Sequence, residues 1–223
     1  MGLWLLCFMM TLSTAFADIG KVLKLTDKSE AHIIRNKSKI ELKSDSKLEV
    51  GDVVVAGNSN LLLQLYPETQ VILTKSSELL IEQSDLEVTK KEERAFSVLK
   101  LQKGSFKAHT PSRKTQVIEQ RWETEGASAA ATQGEFEMAL SDSKNVDVDV
   151  FQGQLIVSSP FIQSFVPEVV KAKEGLTFVS KDKAFSRREA KSNLGNEPSF
   201  MADKVVRKSW DKIKKKFSKK TKK

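Results

Sequence analysis

The 223-residue chain has one cysteine, one tyrosine and two histidines, and each scarcity removes a class of chemistry. The cysteine, Cys7, lies in the opening segment MGLWLLCFMMTLSTAFA, which is apolar up to Thr11 and ends in Ala15-Phe16-Ala17. Small residues at those last positions suit a signal peptidase, so residues 1–17 read as a signal peptide cut before Asp18. No Lys or Arg precedes the apolar run, and a retained anchor is the alternative, although the segment is short for a membrane span. A chain cut at that point has no thiol, which excludes disulfides, thiolate nucleophiles and sulfur-ligated metals. Leu5 and Leu6 are not the small residues that precede the cysteine of a lipoprotein signal, which argues against a lipid anchor.

His32 and His109 stand 77 positions apart, without the close spacing of a metal motif on one local element. Gly153 and Gly175 stand singly, so no glycine-rich phosphate loop is present, and no nucleophile elbow surrounds any serine. Glu123, Glu125, Glu135 and Glu137 alternate, as do Asp147 and Asp149, but such pairs are expected on solvated strand faces. Two aspartates fall well short of the six or more oxygens a calcium site takes. The expectation is a non-enzyme without cofactor or metal. After the leader no run of 18 apolar residues occurs, so no further membrane helix is expected.

What the chain does hold is period-2 patterning from Ile19 to about Val179. Leu61-Leu62-Leu63-Gln64-Leu65, Val71-Ile72-Leu73 and Phe136–Leu140 are read as strands, and Val146-Asp147-Val148-Asp149-Val150 alternates most cleanly. Gly51, Gly104, Gly153 and Gly175 each open a short apolar run, as glycines at positive-φ turns or bulges do. Gln152-Gly153 reads as a tight turn between strands 146–150 and 154–158. Residues Gly126–Gln133 break the alternation and read as a tight packing crossing or a loop, with a short helix as the lesser alternative. Trp122 is expected in the core. The predicted fold is mainly β: a single antiparallel domain of about ten short strands over residues 18–180, a polar linker over 181–198, and a basic tail over 199–223.

The order of several short motifs resembles the FecR domain, the periplasmic sensory domain of ferric-citrate-type regulators. They are Ile19-Gly20-Lys21-Val22, the Gly51-Asp52-Val53-Val54 step, Leu61–Leu65 with Val71–Leu73, and Leu101-Gln102-Lys103-Gly104-Ser105-Phe106. Glu135–Met138, Val148–Val157 and Val169–Gly175 complete the series, which spans Ile19 to Phe178. The chain departs from the family pattern at Gln133-Gly134, where Gly-Thr is usual, and at Pro67-Glu68-Thr69, where Asp-Gly is often found. The resemblance implies a divergent, stand-alone exported member: a periplasmic β domain for protein or ligand contact, with no anti-sigma region, catalysis or cofactor.

Charge is distributed unevenly. The last 23 residues carry eleven Lys/Arg and two Asp, a formal +9 against +8 for the whole chain, so the first 200 residues sum to −1. Ala202, Val206, Trp210, Ile213 and Phe217 recur at helical spacing, Ser199 is placed to cap the first turn, and lysines fill the opposite face. Five apolar side chains are few for such a helix to persist alone in water. The expected anionic-surface site is Lys204, Arg207, Lys208, Trp210, Lys212, Ile213, Lys215, Lys216, Phe217, Lys219 and Lys220. The leader, the single tail arginine and the lack of a base-reading module argue against nucleic acid. An anionic membrane or envelope polymer fits better, with an envelope protein as the partner of the β domain. The leading function is a non-catalytic envelope interaction or signalling module, peripheral on a membrane or wall. The alternative is an envelope structural or carrier protein with a lipid- or glycan-binding groove.

Overall fold

The computed structural model describes residues 18–26, 30–89, 92–114, 116–162, 166–192 and 200–201. The leader and every residue of the expected anionic-surface site lie outside them. Among the described residues sixteen strands are present where about ten were predicted. The first eight are β1 (Gly20–Leu25), β2 (His32–Arg35), β3 (Ser38–Glu41), β4 (Lys47–Leu48), β5 (Val53–Val55), β6 (Leu61–Leu65), β7 (Thr69–Leu73) and β8 (Glu78–Val88). There follow β9 (Glu93–Thr110), β10 (Gln116–Glu123), β11 (Ser128–Ala131) and β12 (Gly134–Leu140). The last four are β13 (Val146–Ser158), β14 (Glu168–Lys171), β15 (Glu174–Val179) and β16 (Ala184–Glu189). No helix occurs among the described residues.

The strands form two sheets. Sheet I runs β4-β1-β6-β7-β9-β12-β13-β15-β16 and is antiparallel throughout. Sheet II runs β3-β2-β5-β8-β9-β10-β11-β13-β14, with one parallel pair, β9–β10. The domain is therefore mixed rather than purely antiparallel. Strands β9 and β13 belong to both sheets and tie them together.

The two shared strands change sheet at glycines. Residues 93–103 of β9 pair with β8 in sheet II, and residues 104–110 pair with β12 in sheet I. At the junction Gly104 has φ +79°, and a Cβ there would stand 2.2 Å from Ser77 Oγ and 2.8 Å from its Cα. In β13 the junction is Gly153, at φ +82°. Phe151 is the extra residue of a bulge opposite Glu135 and Phe136, and bulges bend and twist a strand. The turn predicted at Gln152-Gly153 is thus a correction: β13 continues through it. Positive φ serves a hairpin or a bulge equally well, and here β12, β15, β11 and β14 supply partners along the whole strand. Gly51 also has positive φ, but Gly175 does not.

Gly126–Gln133 also differs from the loop reading, because Ser128–Ala131 form β11, whose small side chains fit between β10 and β13. Residues 184–189, read as linker, form β16 and pair with β15.

Between the sheets Trp122 stacks on Phe106 with centroids 4.4 Å apart, and Phe136 meets both edge-on. All three are fully buried, so Trp122 is a core residue as expected. The Leu-x-x-Gly-x-Phe step now has a physical account: Leu101 and Phe106 fill the core on either side of the Gly104 pivot. The Gly51-Asp52 step has another. The buried Asp52 carboxylate accepts bonds from Arg35 Nε and Nη2, both at 2.7 Å, and from the Glu49 amide at 2.8 Å. A polar knot closes the sandwich at the β9–β10 connection. Thr110 Oγ1 donates to Gln120 Oε1 at 3.0 Å, and Gln120 Nε2 donates to Thr69 Oγ1 at 2.8 Å.

The turn between β6 and β7 holds Tyr66, the single tyrosine of the chain. Burial, with Asp18 and Asp45 nearby, pushes its phenol up to about 12 from 10.0. Because the folded state holds the proton more tightly, this contribution to stability is complete below about 10 and is lost as pH rises through about 12. Tyrosinate absorbance during a base titration should therefore rise well above the midpoint of free tyrosine. A midpoint near 10 in the folded protein would contradict the burial of Tyr66.

Candidate functional site

The outer face of sheet I carries the most distinctive chemistry among the described residues. Two cross-strand rows run over it. One is Lys24, Leu62, Ile72, Lys107, Glu137, Asp149, Gly175 and Arg188, each opposite the next. The other is Lys21, Gln64, Gln70, His109, Glu135 and Gln152. In antiparallel strands such opposed side chains share a face, and here the face opposes the one that holds Val71, Ala108 and Phe136.

At one end lies an ion-pair cluster. Asp149 is 1% exposed and accepts from both terminal nitrogens of Arg188 and, at 2.8 Å, from the Lys191 amide. Arg188 Nη2 also donates to Asp147 at 3.1 Å, and Arg188 Nε to Thr177 at 3.1 Å. Hydrogen bonding to Asp149 raises the guanidinium above its ordinary value; burial opposes this, and Asp147 adds to it. Gly175 lies opposite both, and any Cβ there would meet Arg188 Nη1 and Asp149 Oδ1. Asp147 and Asp149 do share a strand face, as predicted, but that face is not solvated at Asp149, and both carboxylates are committed to the Arg188 guanidinium.

In the middle, Lys107 pairs with Glu135 at 2.6 Å and sits 4.7 Å from the Phe151 ring centroid. His109 Nδ1 is 3.9 Å from Glu135. The Phe200 ring lies 5.5 Å from the His109 ring. Next to it Gln70 grips the main chain of Met201 twice: its Nε2 donates to the carbonyl and its Oε1 accepts from the amide, both at 2.7 Å. The root of the basic tail is therefore fixed on β7 and β9.

The outer face of sheet II is different. Val117, Ile156 and Val169 point outward and are 40%, 47% and 41% exposed. Ala130 lies between Arg121 and Ile156 and leaves a dip there. Two open depressions of about 570 and 560 Å3 follow this face. Asp85, Glu87, Arg94 and Glu119 rim the first, so apolar and charged groups are interleaved.

The remaining sequence candidates are dispersed. His32 is on β2 in sheet II and His109 on β9 in sheet I. Glu123 ends β10, Glu125 pairs with Lys144 at 2.7 Å, and only Glu135 and Glu137 share a strand face. Among the described residues no three His, Cys, Asp or Glu are placed to hold a metal ion. No described helix is long and apolar enough to cross a membrane. Sequence reasoning missed Arg188, Gln70 and the contact of Phe200 with His109. The first two stand in unremarkable polar contexts, and only pairing across the sheet reveals them.

No protein-family model matches the chain, and no curated protein matches it. Two crystal structures of a proposed anti-sigma factor from Parabacteroides distasonis ATCC 8503, at 2.50 and 1.65 Å resolution, resemble it. Each has a TM-score of 0.48, at 13% and 12% identity, over 61% of this chain and 58% of theirs. The chain thus spans less than two thirds of those proteins. The likeness is a distant structural resemblance and assigns no family.

Proposed function

We propose that the protein is an exported, non-catalytic interaction or signalling module of the cell envelope, in which the tail sets where the β domain sits. The observation that carries this is the charge separation: a first 200 residues near neutrality, and a +9 tail whose apolar residues recur at helical spacing. Each tail lysine close to an anionic leaflet contributes up to about 1 kcal/mol. Each large apolar side chain that leaves water adds roughly 2 kcal/mol. The tail then needs no base-reading surface and no catalytic group. The β domain is left to contact an envelope protein. The mixed charged and apolar depressions of sheet II suit such a partner better than a continuous lipid groove.

Sedimentation with anionic vesicles tests the surface role. Replacing Trp210 and Phe217 by Ser is expected to weaken binding more than loss of any single lysine, and the difference should persist in high salt, where charge is screened. Equal effects of the two changes in high salt would assign binding to charge alone.

A further inference from the structure

We propose that the C-terminal segment seats its apolar stripe, beginning with Ala202, Val206 and Trp210, on the outer face of sheet I of its own chain, over Leu62, Gln64 and Ile72. Strands β6 and β7 are buried at every position. Leu61, Leu63, Val71 and Leu73 belong to the core between the sheets, whereas Leu62 and Ile72 lie in the row of Lys107 and Glu137 on the opposite face. They are nevertheless 1% and 3% exposed. Every described strand belongs to one of the two sheets, so no described strand or helix covers that face.

Three further observations name the cover. Gln64 is fully buried on the same face, and neither its Oε1 nor its Nε2 has a hydrogen-bond partner among the described residues. Its cross-strand neighbour Gln70 shows what such an amide does here, because it binds the main chain of Met201 at both ends. A buried primary amide without partners is costly, so Gln64 calls for polar groups from the covering segment. The chain also has a heading. The Lys191 amide is held by Asp149 on β13 and Met201 by Gln70 on β7, so the two points lie three strands apart across sheet I. Continued past β7, that line reaches β6 and β1. The 22 residues after Met201 supply the apolar stripe that the Leu62–Ile72 seat lacks.

The proposal concerns the protein in the absence of any surface, and does not depend on what the tail binds elsewhere. Hydrogen exchange of the full chain, without lipid, tests it. A lysine-rich helix of this length is marginal alone, so the amides of residues 203–217 should exchange at least about tenfold more slowly than an unstructured chain only if they are docked. Val206→Asp removes the stripe with little change in helix propensity, and should abolish that protection. Ile72→Asp should do the same from the seat side, with the amides of β9 and β12 reporting that the domain has stayed folded. Should Ile72→Asp unfold the domain, Val206→Asp decides alone. Exchange of 203–217 at the unstructured rate in the unsubstituted chain would overturn the proposal. So would protection that survives Val206→Asp, or protection that appears only as protein concentration rises, which would place a second copy's tail on the face.

Discussion

Gly104→Val is expected to leave little folded protein. At φ +79° a β-branched residue is strained, which costs roughly 1–3 kcal/mol. Its Cβ would also meet Ser77 Oγ at 2.2 Å, and pushing β8 and β9 apart there adds roughly 1–3 kcal/mol. The sum, roughly 2–6 kcal/mol, reaches the lower end of the margin of about 5–15 kcal/mol that holds a domain together. The damage also falls where β9 passes from one sheet to the other, so both sheets lose register. Gly51→Val is the control. It has the same sign of φ, at +91°, but nothing lies within 4 Å of its Cβ, so only the backbone strain remains. Urea denaturation should show a modest fall in midpoint for Gly51→Val and little or no folded baseline for Gly104→Val. Equal midpoints would refute the pivot role.

Arg188→Leu should be nearly as severe. Asp149 is 1% exposed and would lose two charge-assisted bonds while staying buried beside Gly175. Removing one partner of a buried pair costs roughly 3–5 kcal/mol, because the remaining charge is left uncompensated. The loss should be largely recovered when Asp149→Leu is added to the same chain, since a buried pair replaced as a whole costs little. Thermal denaturation of the two single variants and the double variant decides this. A double variant no more stable than Arg188→Leu alone would show that Arg188 acts through packing and not through Asp149.

The parts of the fold that were legible in the sequence are those fixed by local pattern. Val146–Val150 alternates because its valines meet the core and its aspartates lie on the opposite face, and the spacing shows that much but not the Arg188 that waits there. The glycines at 51, 104 and 153 announce positive φ, but a glycine does not say whether the chain reverses or merely bends. That depends on partners supplied from elsewhere in the chain, such as Gly134 opposite Gly153. The short β16 was read as linker because Ala184–Glu189 is mostly polar, as an exposed edge strand is.

Leu61-Leu62-Leu63-Gln64-Leu65 was the more telling run. Read as one of the alternating strands, it does not alternate: leucines stand on both of its faces, and β6 is buried at every position. The hold of Gln70 on Met201 left no trace in the sequence, since a single glutamine carries no pattern.

Sedimentation of the intact chain and of a chain ending at Met201 with anionic vesicles at low salt tests the central claim most directly. With the tail responsible for location, the intact chain should pellet with the vesicles and the shortened chain should stay in solution. The shortened chain should keep the strand signature in circular dichroism. Equal pelleting of the two would place surface binding in the β domain and contradict the account.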